Sequence, residues 1–229
     1  MTVDSIAAVL FDMDGTLIDS ERLWDVAMDE LAAAYGGRLS RRARQAMVGT
    51  SMAESMRILH TELDQPWRDP AVGIAFLEKR VAELFVTDLQ WRPGAAELLR
   101  EVRAAGLPTA LVTSSARMLV EIALGTLGRE NFDVVVCGDE VSANKPDPLP
   151  YLTAAERLGV PVERCVAIED SPAGVTSALT AGATVVAVEG AAPLPPMDGV
   201  HRLSTLAGVD LAFLASLPRR NAAAALEGS

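Results

Sequence analysis

Two aspartates separated by one residue, Asp12 and Asp14, stand directly after an apolar run and directly before Gly15-Thr16. Alone, such a pair can be a polar turn with an Asx bend, which Asp-Gly often makes. It can equally be a carboxylate nucleophile with an acid/base partner two residues on. Neighbouring carboxylates repel, so both stay ionised only beside a cation, or one of them holds a proton. A second acidic pair, Glu169-Asp170, ends another apolar run, where Asp170 or Ser171 could simply cap the next helix. Lys145 is one of two lysines in the chain, Lys79 being the other, and it comes after a third apolar run. Its ammonium would offset negative charge among the carboxylates and on a bound anion. Thr113-Ser114-Ser115 close a fourth such run. They read either as a helix N-cap or as hydroxyls and amides that seat an anion.

The secondary structure that places these residues can be read from the same runs. Ile6–Phe11, Pro108–Thr113, Phe132–Cys137, Cys165–Ile168 and Thr184–Val188 predict strands. Their apolarity is near-continuous rather than alternating, as in a parallel sheet buried on both faces. Helical patterns separate the later ones, over Arg117–Leu127, up to Leu158, and over Ala173–Ala181, with a last helix ending near Leu217. The segment near His201 carries no clear signal. Alternating strands and helices predict βαβ units, whose ligand site lies at the carboxyl ends of the strands. All four polar clusters fall there.

Between the first strand and the rest, the pattern changes. Ser20 is expected to cap a helix reaching Tyr35, with Leu23, Trp24, Ala27, Leu31 and Ala34 as its apolar stripe. From about Ser40 to Phe85 only helical spacings recur, and Met47, Met52 and Met56 read as core filling. The expected fold class is α/β: a Rossmann-like parallel sheet core with an inserted all-α cap domain. The core takes residues 1–16 and 92–229 and the cap residues 17–91.

Composition narrows the function classes. The chain has 229 residues, 50% hydrophobic and 22% charged, with a formal net charge of -11. That suits a soluble globular protein and excludes sequence-independent binding to nucleic acid or anionic membranes, which needs a basic face. No apolar run approaches the ~18 residues of a membrane span, and the first is short of a signal h-region, so a cytoplasmic location is expected. The two cysteines, Cys137 and Cys165, sit in apolar stretches and read as buried free thiols. His60 and His201 are isolated, so no zinc cluster is expected. An oxygen-only ligand set of Asp12, Asp14, Glu169 and Asp170 suits magnesium. The small, polar tail 221–229 adds no fold signal.

In this order, Asp12-Met-Asp-Gly-Thr-Leu17, Thr113, Lys145-Pro146 and Glu169-Asp170 resemble the four motifs of the haloacid dehalogenase-like phosphohydrolases. The resemblance spans nearly the whole chain, and the helical insertion looks like the cap of the subgroup containing β-phosphoglucomutase and phosphoglycolate phosphatase. It implies Asp12 as the nucleophile that forms an aspartyl-phosphate and Asp14 as general acid and base. Thr113 and Lys145 would hold phosphoryl oxygens, with Ser114 beside them. Asp12, the Asp14 carbonyl and Asp170 would bind Mg2+, with Glu169 ligating directly or through water. A cis peptide at Lys145-Pro146 is also implied.

The expected activity is therefore a magnesium-dependent phosphatase acting on a small phosphorylated metabolite, in a monomer or weak homo-oligomer. A phosphomutase like β-phosphoglucomutase is the nearest alternative. Two departures count against it: Trp24 stands near the place of that enzyme's cap histidine, and Gly49-Thr-Ser-Met52 lacks the family's cap arginine. A phosphoacceptor switch with an acidic cluster, Thr and Lys is the non-enzymatic alternative. The large insertion and Asp14 argue otherwise. Substrate selection is expected from insertion residues Glu21, Trp24, Thr50 and Ser51, with Trp24 able to stack on a sugar or to pack in the helix core.

Overall fold

The computed structural model describes residues 6–47 and 52–218; Thr50 and Ser51, and the tail 221–229, lie outside them. The chain divides into two compact units, one of Met1–Asp19 with Gln90–Ser229 and one of Ser20–Leu89.

The larger unit is a six-stranded sheet in the order β3-β2-β1-β4-β5-β6. Its strands are β1 (Ala8–Phe11), β2 (Thr109–Val112), β3 (Val134–Val136), β4 (Cys165–Glu169), β5 (Thr184–Val188) and β6 (Val200–Leu203). Every neighbouring pair is parallel, as the continuous apolar runs predict. Side chains alternate in direction along a strand. Ala8, Leu10, Ala110, Val112, Cys165, Ala167, Val185 and Ala187 thus share one face with Tyr151 and Ala154 of α7 (Leu149–Leu158) and Val175 and Ala178 of α8 (Pro172–Ala181). The opposite set, Val9, Phe11, Leu111, Val166, Ile168 and Val186, is equally buried. Helices α5 (Ala95–Ala104), α6 (Arg117–Leu127) and α9 (Leu211–Ser216) complete the unit.

β6 is the strand that the sequence pattern leaves unassigned. It is an edge strand, half-buried to exposed, and His201 and Arg202 interrupt its apolarity. The strand runs beside β5 and is held there by backbone pairing rather than by a buried side-chain set.

The chain passes from β1 to β2 and β3 on one side, then crosses to β4 on the other. This reversal opens a crevice at the carboxyl ends of β1 and β4, where ligands of open α/β sheets bind. Asp12 succeeds the last residue of β1, Glu169 ends β4, and Thr113 succeeds β2.

The smaller unit holds α1 (Glu21–Ala34), α2 (Arg41–Met47), α3 (Met52–Glu62) and α4 (Pro70–Asp88). Leu23, Ala27 and Leu31 of α1, Met56 and Leu59 of α3, and Leu77 and Val81 of α4 are fully buried in it. Met56 fills core as expected. Asp69 caps α4 by accepting from Ala71 N at 2.9 Å, with Pro70 at the first position, where a missing N–H leaves no bond unmade. Ser20 precedes α1 in a helical conformation and makes no side-chain cap. Both cysteines are buried free thiols, and burial pushes Cys137 up to about 12, so it stays protonated. Among the described residues no helix is long and apolar enough to cross a membrane.

Leu10 lies in the innermost strand with no exposure. Leu10→Ala is expected to cost about 2–5 kcal/mol by urea unfolding, through lost transfer energy and the cavity left behind.

Candidate active site

The carboxyl ends of β1 and β4 bring Asp12, Glu169 and Asp170 together, and one carboxylate oxygen from each lies within 4.8 Å of the others. All three are buried. Lys145 reaches in from the loop after β3, and its side chain is only 4% exposed. Its Nζ donates to Asp12 Oδ1 at 2.6 Å, Glu169 Oε1 at 2.6 Å and Val112 O at 2.9 Å, which uses all three ammonium protons. The Lys145–Pro146 peptide is cis.

Glu169 is held from every side. Besides Lys145, Oε1 accepts from Tyr151 Oη at 2.6 Å. Its Oε2 accepts from Asp170 N at 3.2 Å, Ser171 N at 3.4 Å and Ser171 Oγ at 3.3 Å. Ser171 also caps α8 by accepting from Gly174 N. Gly174 lacks a Cβ where one would collide with the Glu169 carboxylate. Asp170 accepts a long 3.4 Å bond from Thr16 Oγ1. Gly15, at φ +79°, lets the turn after β1 pass close to Asp170, where a Cβ would collide with Oδ2.

Asp14 takes a separate direction. Its Oδ2 accepts from Thr113 Oγ1 at 3.2 Å and Ser115 Oγ at 2.7 Å. The Asp14 carboxylate thus sits by the end of β2, while Asp12 faces Lys145. Ser114, exposed, turns away and donates to Asn144 Oδ1 at 2.9 Å. Glu21 and Trp24 belong to the helical unit, half-buried at the start of α1. They are three residues apart and so lie on one side of that helix.

Burial pushes the Asp12 carboxyl up to about 7; Lys145 opposes this, while Glu169 and Asp14 add to it. Burial alone would lower the Lys145 ammonium, but Asp12 and Glu169 more than reverse this and raise it. Burial, reinforced by Glu169, also holds the Tyr151 phenol well above its ordinary range, so it remains a donor. Three buried carboxylates around one ammonium leave up to two negative charges uncompensated, and Asp12 Oδ2 is a buried oxygen with no hydrogen-bond partner. Hard oxygen donors with surplus negative charge fit a divalent cation. Asp12 and Asp170 each place a carboxylate oxygen in the cluster. The oxygens of Glu169 are largely committed to Lys145, Tyr151 and Ser171.

Tyr151 joins the constellation without having been singled out by the sequence, and Ser115, read only as part of the Thr113–Ser115 cluster, gains a specific partner in Asp14. Of the three adjacent hydroxyl residues, only the turn shows that Thr113 and Ser115 meet Asp14 and Ser114 does not. Tyr151 reads as an apolar helix residue until its hydroxyl is seen on Glu169.

Fold and site together define a Rossmann-like α/β protein with buried carboxylates gathered around one lysine at the carboxyl ends of its strands. A haloacid dehalogenase-like hydrolase model matches residues 6–182, and the chain belongs to that family. It is 37% identical over 180 residues to the phosphorylated carbohydrates phosphatase of Thermotoga maritima, covering 76% of this chain and 81% of that protein. It is 34% identical over 207 residues to hexitol phosphatase A of Escherichia coli, covering 83% of this chain and 87% of that protein. Among solved structures it resembles CbbY from Rhodobacter sphaeroides in complex with phosphate. The TM-score is 0.76 at 30% identity, over 92% of this chain and 99% of that one.

A cation at this site competes with the proton on Asp12, which is raised to about 7. Divalent-cation affinity should therefore tighten by about tenfold from pH 6 to 8 and level off above, with proton release below pH 7. Titration calorimetry in buffers of different ionisation enthalpy measures both quantities.

Proposed function

We propose that this chain is a magnesium-dependent phosphatase that hydrolyses a small phosphorylated metabolite, most naturally a sugar phosphate, through an aspartyl-phosphate. The observation that carries the reading is the asymmetry of Asp12: Oδ1 is fixed by Lys145 at 2.6 Å while Oδ2 has no hydrogen-bond partner. A carboxylate held at one oxygen and open at the other is oriented for attack. The names of the relatives point to phosphorylated carbohydrates, which supports the substrate class.

The roles assigned to the residues rest on their contacts. Asp12 attacks phosphorus, the bond to the leaving oxygen breaks, and Asp14 gives that oxygen a proton. Asp14, now a carboxylate, takes a proton from the water that opens the aspartyl-phosphate, releasing inorganic phosphate and restoring Asp12. Lys145, kept charged between two carboxylates, screens the approach of a phosphate dianion. At ~4 Å and an effective dielectric of ~20, one carboxylate and one phosphate charge repel by about 4 kcal/mol, and a dianion doubles this. One buried ammonium offsets about half. Asp12 and Asp170, with the Asp14 carbonyl, would hold Mg2+, and Glu169 supports them from behind. When bound, Mg2+ supplies the remaining charge compensation for the phosphoryl group. Thr113 binds a phosphoryl oxygen; the Ser114 hydroxyl, turned to Asn144, does not take part. The helical unit acts as the cap, with Glu21 and Trp24 selecting the substrate. The protein works in the cytoplasm.

Phosphate release from p-nitrophenyl phosphate should be abolished by excess chelator and restored by Mg2+. Asp12→Asn should lower kcat by at least about 10³-fold with Mg2+ present. Full turnover in chelator would remove the metal from the mechanism, and an active Asp12→Asn variant would remove the nucleophile.

A further inference from the structure

The reading of Asp14 as a proton donor leaves open which group aims it. Its Oδ2 is shared by two hydroxyls, Thr113 Oγ1 at 3.2 Å and Ser115 Oγ at 2.7 Å. They are not equivalent. A hydroxyl has one proton to give. If Thr113 donates to a bound phosphoryl oxygen, it cannot donate to Asp14 at the same time. Ser115 has the shorter bond and no competing assignment. Its place is fixed from both sides of the turn: its N–H donates to Thr113 Oγ1 at 3.0 Å, and its carbonyl accepts from Gly138 N at 3.0 Å. Ser114 cannot substitute, because its hydroxyl is turned to Asn144.

We propose that Ser115 is a positioning residue of the reaction, the hydroxyl that holds the Asp14 carboxyl at the end of β2 when Thr113 turns to the substrate. This rests on the reading of Asp12 as nucleophile and Asp14 as general acid. Ser115 touches neither phosphate nor metal in this role. It keeps the carboxyl group of Asp14 directed at the leaving oxygen. In the first step the Asp12–phosphorus bond forms, the phosphorus–oxygen bond to the leaving group breaks, and the proton on Asp14 passes to that oxygen. A poor leaving group such as an alkoxide needs this proton; p-nitrophenolate leaves without it.

The leaving group therefore separates positioning from a general structural role. The probes are 2-glycerol phosphate, an alkyl ester, and p-nitrophenyl phosphate, both with Mg2+, compared by kcat/KM because this ratio reports only the steps through phosphoryl transfer to Asp12. Ser115→Ala and Ser115→Cys should lower kcat/KM for 2-glycerol phosphate by about 10- to 100-fold and leave that for p-nitrophenyl phosphate within about threefold. Ser115→Thr, which keeps the hydroxyl, should restore the alkyl ester. Asp14→Asn should show the same selectivity, only larger. Equal losses on both esters, or no loss on either, in both the Ala and the Cys variants would overturn the role of Ser115 while Asp14→Asn still discriminates. If Asp14→Asn itself fails to discriminate, the assignment of Asp14 as general acid falls, and the positioning role with it.

Discussion

One ammonium holds the site together. Lys145 is buried, and its three protons go to Asp12, Glu169 and the end of β2. Taking a lysine and two carboxylates out of water is unfavourable, and the mutual attraction offsets that penalty only with close geometry and every lone pair used. The surroundings supply that completeness for Glu169 but not for Asp12, whose Oδ2 has no hydrogen-bond partner. Tyr151 and Ser171 satisfy Glu169, so its charge is directed at Lys145, and Lys145 in turn fixes one oxygen of Asp12. The arrangement is electrically unfinished, with more buried carboxylate than ammonium. A fold carrying that imbalance is prepared for a further positive charge rather than for self-sufficiency.

The sheet explains how residues so far apart in sequence reach one place. Lys145 and Asp12 are separated by 133 positions, and Ser115 and Asp14 by 101. Parallel strands all point their carboxyl ends the same way, so the loops leaving those ends gather along one edge of the sheet. The order β3-β2-β1-β4 then sets who meets whom: β4 beside β1 pairs Asp170 and Glu169 with Asp12, and β2 on the other side gives Asp14 its hydroxyls. The two carboxylates of the Asp-Met-Asp motif are thereby split between two neighbours, which gives them different surroundings.

Much of this was legible in the chain itself. Five strands are continuous apolar runs, and both faces of the sheet are buried, so the pattern and its cause agree. The sixth strand was hidden because an edge position asks little of its side chains; His201 and Arg202 are tolerated where Val185 or Ala167 would be required. Caps were mixed. Ser171 caps α8 as its type suggests, whereas Ser20, equally suited by type, does not cap α1. At the site, residue types named the carboxylates, Lys145 and Thr113. They could not say which of three consecutive hydroxyls would face Asp14, nor that a tyrosine in an apolar helix stripe would place its hydroxyl on Glu169. Those facts depend on the turn after β2 and on the packing of α7, which no local pattern encodes.

The scarcity of lysine has a consequence outside catalysis. The chain carries two, and one is sealed among carboxylates. Lys79, exposed on α4, is thus the sole lysine side chain that an acylating dye or a surface-coupling reagent can reach. Attachment chemistry aimed at lysine would mark the helical unit at a single address and leave the interior amine untouched.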